Sequence, residues 1–106
     1  MKFYLDKEKK EEVIPSEDEK FTLHFGRVEA GTEKTMTLYI YNDNSGVLED
    51  MEYTLPKIDG LKILSAPKVI QPYETEQMEI KWSPSLKFEK SLNVELRIKM
   101  LIVYYA

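Results

Sequence analysis

From Phe21 onward, apolar and polar side chains alternate in short runs. Phe21, Leu23 and Phe25 interleave with Thr22, His24 and Gly26. Met36, Leu38 and Ile40 interleave with Thr35, Thr37, Tyr39 and Tyr41. Met51, Tyr53 and Leu55 repeat the pattern, as do Met78, Ile80 and Trp82, and then Leu92, Val94, Leu96, Ile98 and Met100. A period of two puts the apolar set on one face of a strand and the polar set on the other, as in antiparallel sheets wetted on one side. The separators carry turn chemistry: Glu29-Ala30-Gly31-Thr32, Asn42-Asp43-Asn44-Ser45-Gly46, Ile58-Asp59-Gly60, Gln71-Pro72-Tyr73 and Ser83-Pro84-Ser85. No apolar pattern of helical period runs for three turns. The reading is all-β, an antiparallel sandwich of about seven strands. Its expected core is Leu23, Phe25, Leu38, Ile40, Tyr53, Leu61, Ile63, Ile80, Trp82, Leu96 and Ile98.

Residues 1–20 differ from the rest and read as an N-terminal charged arm, with the sandwich domain spanning 21–106. Two mixed-charge runs, Asp6–Glu12 and Ser16–Lys20, are separated by Val13-Ile14-Pro15 and preceded by the apolar patch Phe3-Tyr4-Leu5. Charge blocks of this kind are usually solvated. The apolar patch leaves two outcomes open: the arm folds back on the domain, or it reaches a neighbour.

The last eight residues, KMLIVYYA, break the alternation. Met100, Ile102 and Tyr104 are expected to continue the core face. Leu101, Val103 and Tyr105 put a second apolar face where Asn93, Glu95, Arg97 and Lys99 were polar. A strand from Ser91 to Tyr105 would run roughly 50 Å at about 3.3 Å per residue, so it bends or projects. The second face needs a cover, either the arm through Phe3, Leu5 or Ile14 or another molecule, because an open apolar edge invites aggregation.

The segment LHFGRVEAGTEKTMTLYIYNDNSG resembles the opening of Ig-like domains of the ASH and major-sperm-protein type. The matching positions are Phe25, Gly26, Val28, Gly31 and Asn42. GLKILSAPKVIQPYETEQMEIKWSP is similar to a later stretch of that pattern, through Ile70, Pro72, Trp82 and Pro84. The resemblance covers roughly residues 21–100 and rests on structural motifs. It implies an Ig-like fold and a role in binding, scaffolding or assembly without catalysis. A small free-standing protein of this sort resembles the decorating or cementing proteins of tailed-phage particles, a fold-level analogy.

Composition narrows the chemistry. With no cysteine, disulfides and thiolate sites are excluded. The net charge of -4 argues against docking on nucleic-acid phosphates. No run of about 18 apolar residues spans a membrane. The first residues lack the apolar run of a secretory signal, so the expected setting is a host cytoplasm or a virion assembled there. The single histidine, His24, lies on the polar side of its strand, and no serine has a nucleophile-elbow context. Asn42–Gly46 offers oxygens, but position 53 is Tyr53 where a calcium loop would need Glu. No enzyme, cofactor or metal site is expected.

These readings converge on a non-enzymatic structural or interaction protein, best described as a multi-copy virion accessory protein. It would dock through Leu101, Val103 and Tyr105, with Phe3, Tyr4 and Leu5 adding strand pairing or apolar anchoring. Its partner would be a multi-subunit assembly such as a capsid or tail, with weak or no self-association. Tyr39 and Tyr41, outward on their strand, are either cross-strand partners or an aromatic binding patch. Two other readings stay open: an adaptor that captures a peptide along a strand edge, and a carbohydrate-binding module using Tyr39, Tyr41 and Tyr73.

Overall fold

The structure is a computed structural model that describes residues 1–15, 20–29, 31–84 and 91–105. The second charged run, apart from Lys20, and parts of two expected turns (Ala30 and Ser85) lie outside the described residues. Seven strands follow in order: β1 (Lys2–Tyr4), β2 (Lys20–Arg27), β3 (Lys34–Tyr41), β4 (Val47–Thr54), β5 (Leu61–Ser65), β6 (Thr75–Trp82) and β7 (Ser91–Val103). They form two antiparallel sheets, ordered β1-β3-β6-β5 and β2-β7-β4. The chain is thus an all-β sandwich of four strands on three.

The alternation in sequence becomes the two facing inner surfaces. Leu23, Phe25, Leu38, Ile40, Ile80, Trp82, Leu96 and Ile98 are fully buried between the sheets. Trp82 meets Phe25 edge-on, with ring centroids 6.2 Å apart. Tyr53, Leu61 and Ile63, also expected in the core, are only half-buried at its margin. Tyr53 sits there because its hydroxyl donates to the Pro67 carbonyl at 2.7 Å; burial pushes its phenol above the ordinary range.

After β5 the chain changes sheets. Leu48 and Ile70 exchange both backbone hydrogen bonds, at 3.0 and 2.9 Å, which carries Ile70 into the core and covers the outer edge of β4.

The arm folds back. β1 pairs with β3, Phe3 opposite Ile40, and Phe3 is fully buried. Residues 11–13 return along its other side, with Val13 N–H donating to the Phe3 carbonyl at 2.7 Å and Leu5 N–H to the Glu11 carbonyl at 2.9 Å. The Asp6 carboxylate closes the intervening turn by accepting from the Glu11 and Lys10 N–H groups, which holds its pKa below the ordinary value.

β7 is shared lengthwise. Its residues 91–97 pair with β2 and its residues 97–103 with β4, the two partners overlapping only at Arg97. This stagger accounts for the elongated outline of 54 × 26 × 23 Å. It also corrects one expectation: Ile102 and Tyr104 do not continue the core but are 45% and 66% exposed. The facing sheet ends at Tyr41 and Thr75, so past Met100 the inner side of β7 has lost most of its cover.

Candidate functional site

The end of β7 gathers the exposed apolar side chains. Directly opposed residues of antiparallel strands share a face. Leu48 faces Ile102 on one side and Ile70 on the other, an inward row. One step along, Leu101 faces Glu49, and the same register sets Val69 beyond it, an outward row. Val47 faces Val103 on that outward side; Val47 is buried and Val103 half-buried. Leu101, Val69 and Tyr105 remain exposed around Glu49.

Tyr105 closes over this face. Its hydroxyl donates to Glu49 Oε1 at 2.6 Å, and the bond to a carboxylate holds the phenol above its ordinary range. A bulge follows on β4, where the register shifts between Glu49 and Glu52 and Asp50 takes a φ of 49°. On the inward side, Ile102 and Tyr104 lie against Gly46, where an added Cβ would come within 2.9 and 3.0 Å of them. The end is therefore an apolar and aromatic surface with one carboxylate at its centre.

Asn42 fixes the loops beside it. It is the one fully buried polar residue among those described. Its Nδ2 donates to the carbonyls of Gly46, Ile70 and Gln71, and its Oδ1 accepts from the Asn44 N–H. Its backbone pairs with Tyr73 and Glu74. The oxygen-rich loop thus turns its first carboxamide inward as a strut. Asp43 instead accepts from the Met1 ammonium, which lowers its pKa.

The other expected contact residues are dispersed. Phe3 and Tyr4 are buried within the domain, the former in the core and the latter opposite Tyr39 on the outer side of its sheet. Leu5 is 45% exposed but lies at a cleft beside β2, on the arm rather than with the end of β7. Tyr39 and Tyr41 are half-buried beside the arm, and the Lys9 ammonium sits 3.8 Å above the Tyr41 ring. The docking set proposed from sequence is therefore not one surface: Leu101, Val103 and Tyr105 stay together with Val69 on the outward face, and Ile102 and Tyr104 are exposed on the opposite, inward face. Val69 was missed because its neighbours in sequence read as a connection between strands, and only the pairing of Ile70 with Leu48 brings it to this face.

His24 is exposed, with Nδ1 2.7 Å from Asn93 Oδ1 on the adjacent strand. Among the described residues, no group of three or more His, Asp or Glu is arranged to hold a metal ion. Comparison of the chain with family models, curated proteins and solved structures gives no match.

Proposed function

We propose that this seven-stranded sandwich is a non-enzymatic interaction module that docks on a larger protein assembly through the C-terminal end of β7. The observation that carries the reading is the outward row of Leu101, Glu49 and Val69 with Tyr105 folded over it: apolar side chains left in water around an accepting carboxylate. Contiguous exposed apolar groups rimmed by polar ones mark interaction surfaces. Burying such side chains brings about 1.5–3 kcal/mol each when complete. The finer form of the proposal is a multi-copy virion accessory protein, in which modest contacts add up through avidity. That form draws on the resemblance of the sequence to ASH and major-sperm-protein domains.

Alone, such a protein is monomeric or nearly so. Co-sedimentation with capsid or tail particles encoded by the same genome tests the proposal. Binding that saturates at a fixed copy number, and that is lost in Leu101→Asp/Val103→Asp while the melting curve holds, is the expected result. Absence of saturable binding, or binding indifferent to both substitutions, would sink it. Against the carbohydrate-binding alternative, the Lys9 ammonium already covers one face of the Tyr41 ring. The strand-edge adaptor reading finds a specific footing elsewhere on the molecule.

A further inference from the structure

We propose that a cleft on the flank of the sandwich, between β2 and the first half of β3, captures an extended segment of a partner polypeptide, which adds to β3 as a strand. This surface is separate from the end of β7. β3 has eight residues, yet β1 pairs only with its last three, Tyr39–Tyr41. Among the described residues, no strand continues that ladder along Lys34–Leu38. Beside this edge lies a cavity of about 310 Å³ lined chiefly by Leu5, Val13, Ile14, Leu23 and Met36.

What the walls lack identifies the occupant. Along Lys34–Leu38 no strand among the described residues takes up the outer edge of β3, and an extended chain supplies backbone partners there at strand spacing. Within the cavity the walls lack apolar fill, which alternate side chains of such a chain supply. β1 already establishes the ladder, so the captured segment prolongs an existing pairing.

β2 also presents an edge to the cleft, but it is a poor template. Its ladder to β7 shifts register between His24 and Gly26, with Gly26 at a φ of 70°, and bulges of this kind disrupt an edge. Its Phe25 carbonyl is already bound by Lys34 Nζ at 2.8 Å. That contact closes the far end of the cleft, so the segment is short, about four or five residues over about 13–17 Å. Glu12 lies at the arm end, so a Lys or Arg flanking the segment there matches the site in charge.

The test uses the full chain and three synthetic peptides: an alternating Val/Thr octapeptide preceded by two lysines, the same peptide with serine for valine, and the alternating peptide with every second peptide nitrogen methylated. Amide exchange over residues 34–38 and the Met36 methyl resonance are followed by NMR. The expected result is at least tenfold slower exchange of the edge amides and a shifted Met36 methyl with the first peptide alone. Met36→Glu should abolish the slowed amide exchange, and Leu101→Asp/Val103→Asp should leave both responses intact, which separates this site from the end of β7. The proposal is overturned if no peptide acts at millimolar concentration or if the methylated peptide acts equally. It is also overturned if protection over residues 34–38 rises with protein concentration alone, because the edge would then serve a second copy.

Discussion

Phe3 stacks on Phe21 with ring centroids 4.6 Å apart and planes inclined by 23°. The first ring comes from the arm and the second from β2, so the contact bridges the two sheets at the open flank of the sandwich. Phe3→Ala should cost about 3–5 kcal/mol, the range for deleting a buried phenylalanine. Urea unfolding followed by tryptophan fluorescence reads the loss. A change under about 1 kcal/mol would mean that the arm is an attachment rather than part of the core.

The Phe3 contact marks where the sequence was legible and where it was not. Phe21, Leu23 and Phe25 announce themselves by alternation, and so do Met78, Ile80 and Trp82, because each run carries several inward positions. Phe3 stands in a strand of three residues followed by a charge run, too short for a period to show. Leu48 and Ile70 are equally buried, but their burial follows from a long-range pairing that no local pattern encodes. Ile102 and Tyr104 mislead in the opposite sense. Their spacing fits the inner face of β7, yet burial depends on where the opposite sheet ends. The β4 bulge at Asp50 was hidden for a related reason: its neighbours still alternate. At the candidate site, Leu101, Val103 and Tyr105 were visible because they violate a pattern, whereas Val69 has no pattern to violate.

Asn42 offers a second prediction. Asn42→Ala would take a donor from the Gly46 carbonyl and the acceptor from the Asn44 N–H, while the Ile70 and Gln71 carbonyls keep the Leu48 and Glu74 N–H groups. Two polar groups deprived of Asn42, at about 1–3 kcal/mol each, put the loss at roughly 3 kcal/mol. The expected signature is a lower urea midpoint with an unchanged slope. Asn42→Asp should be worse at neutral pH, because a carboxylate would face three carbonyls, and should recover in part as acid protonates it. Equal stability of the two variants across pH would refute the strut.

Two glycines share positive φ but not surroundings. A Cβ on Gly60, at a φ of 78°, would fall 2.0 Å from the Ser83 carbonyl oxygen, because the Gly60 carbonyl accepts the Ser83 N–H at 2.9 Å. A Cβ on Gly26, at a φ of 70°, would meet nothing within 4 Å. Gly26→Ala therefore carries only the left-handed backbone penalty of about 1–2 kcal/mol. Gly60→Ala should exceed it by about 2 kcal/mol or more, since backbone must move. Thermal unfolding of the pair side by side decides the matter, and equal melting temperatures would contradict the close approach of β5 and β6.

Tyr105 and Glu49 give the docking end a pH signature of defined sign. The neutral phenol donates to the carboxylate, and ionisation would remove the donor and set two negative charges together. The folded-state pKa of Tyr105 therefore lies above its ordinary value of 10.0, by the hydrogen bond to Glu49 first, then by desolvation, then by the nearby charges of Glu49 and Asp50. A group whose pKa is raised on folding contributes its full stabilisation below the unfolded value and loses it as pH rises through the folded one. The contact should thus be constant through neutral pH and fail only in alkali above about pH 10. Site-resolved NMR of the tyrosine ring carbons should show Tyr105 titrating late, and Glu49→Ala should return it toward 10. If docking uses this face, partner binding should be flat from pH 6 to 9, and the ring should become mobile in Glu49→Ala without loss of the fold. If Tyr105 titrated as late in Glu49→Ala as in the parent protein, the carboxylate would not be what holds the ring, leaving the outward face to Leu101 and Val69 alone.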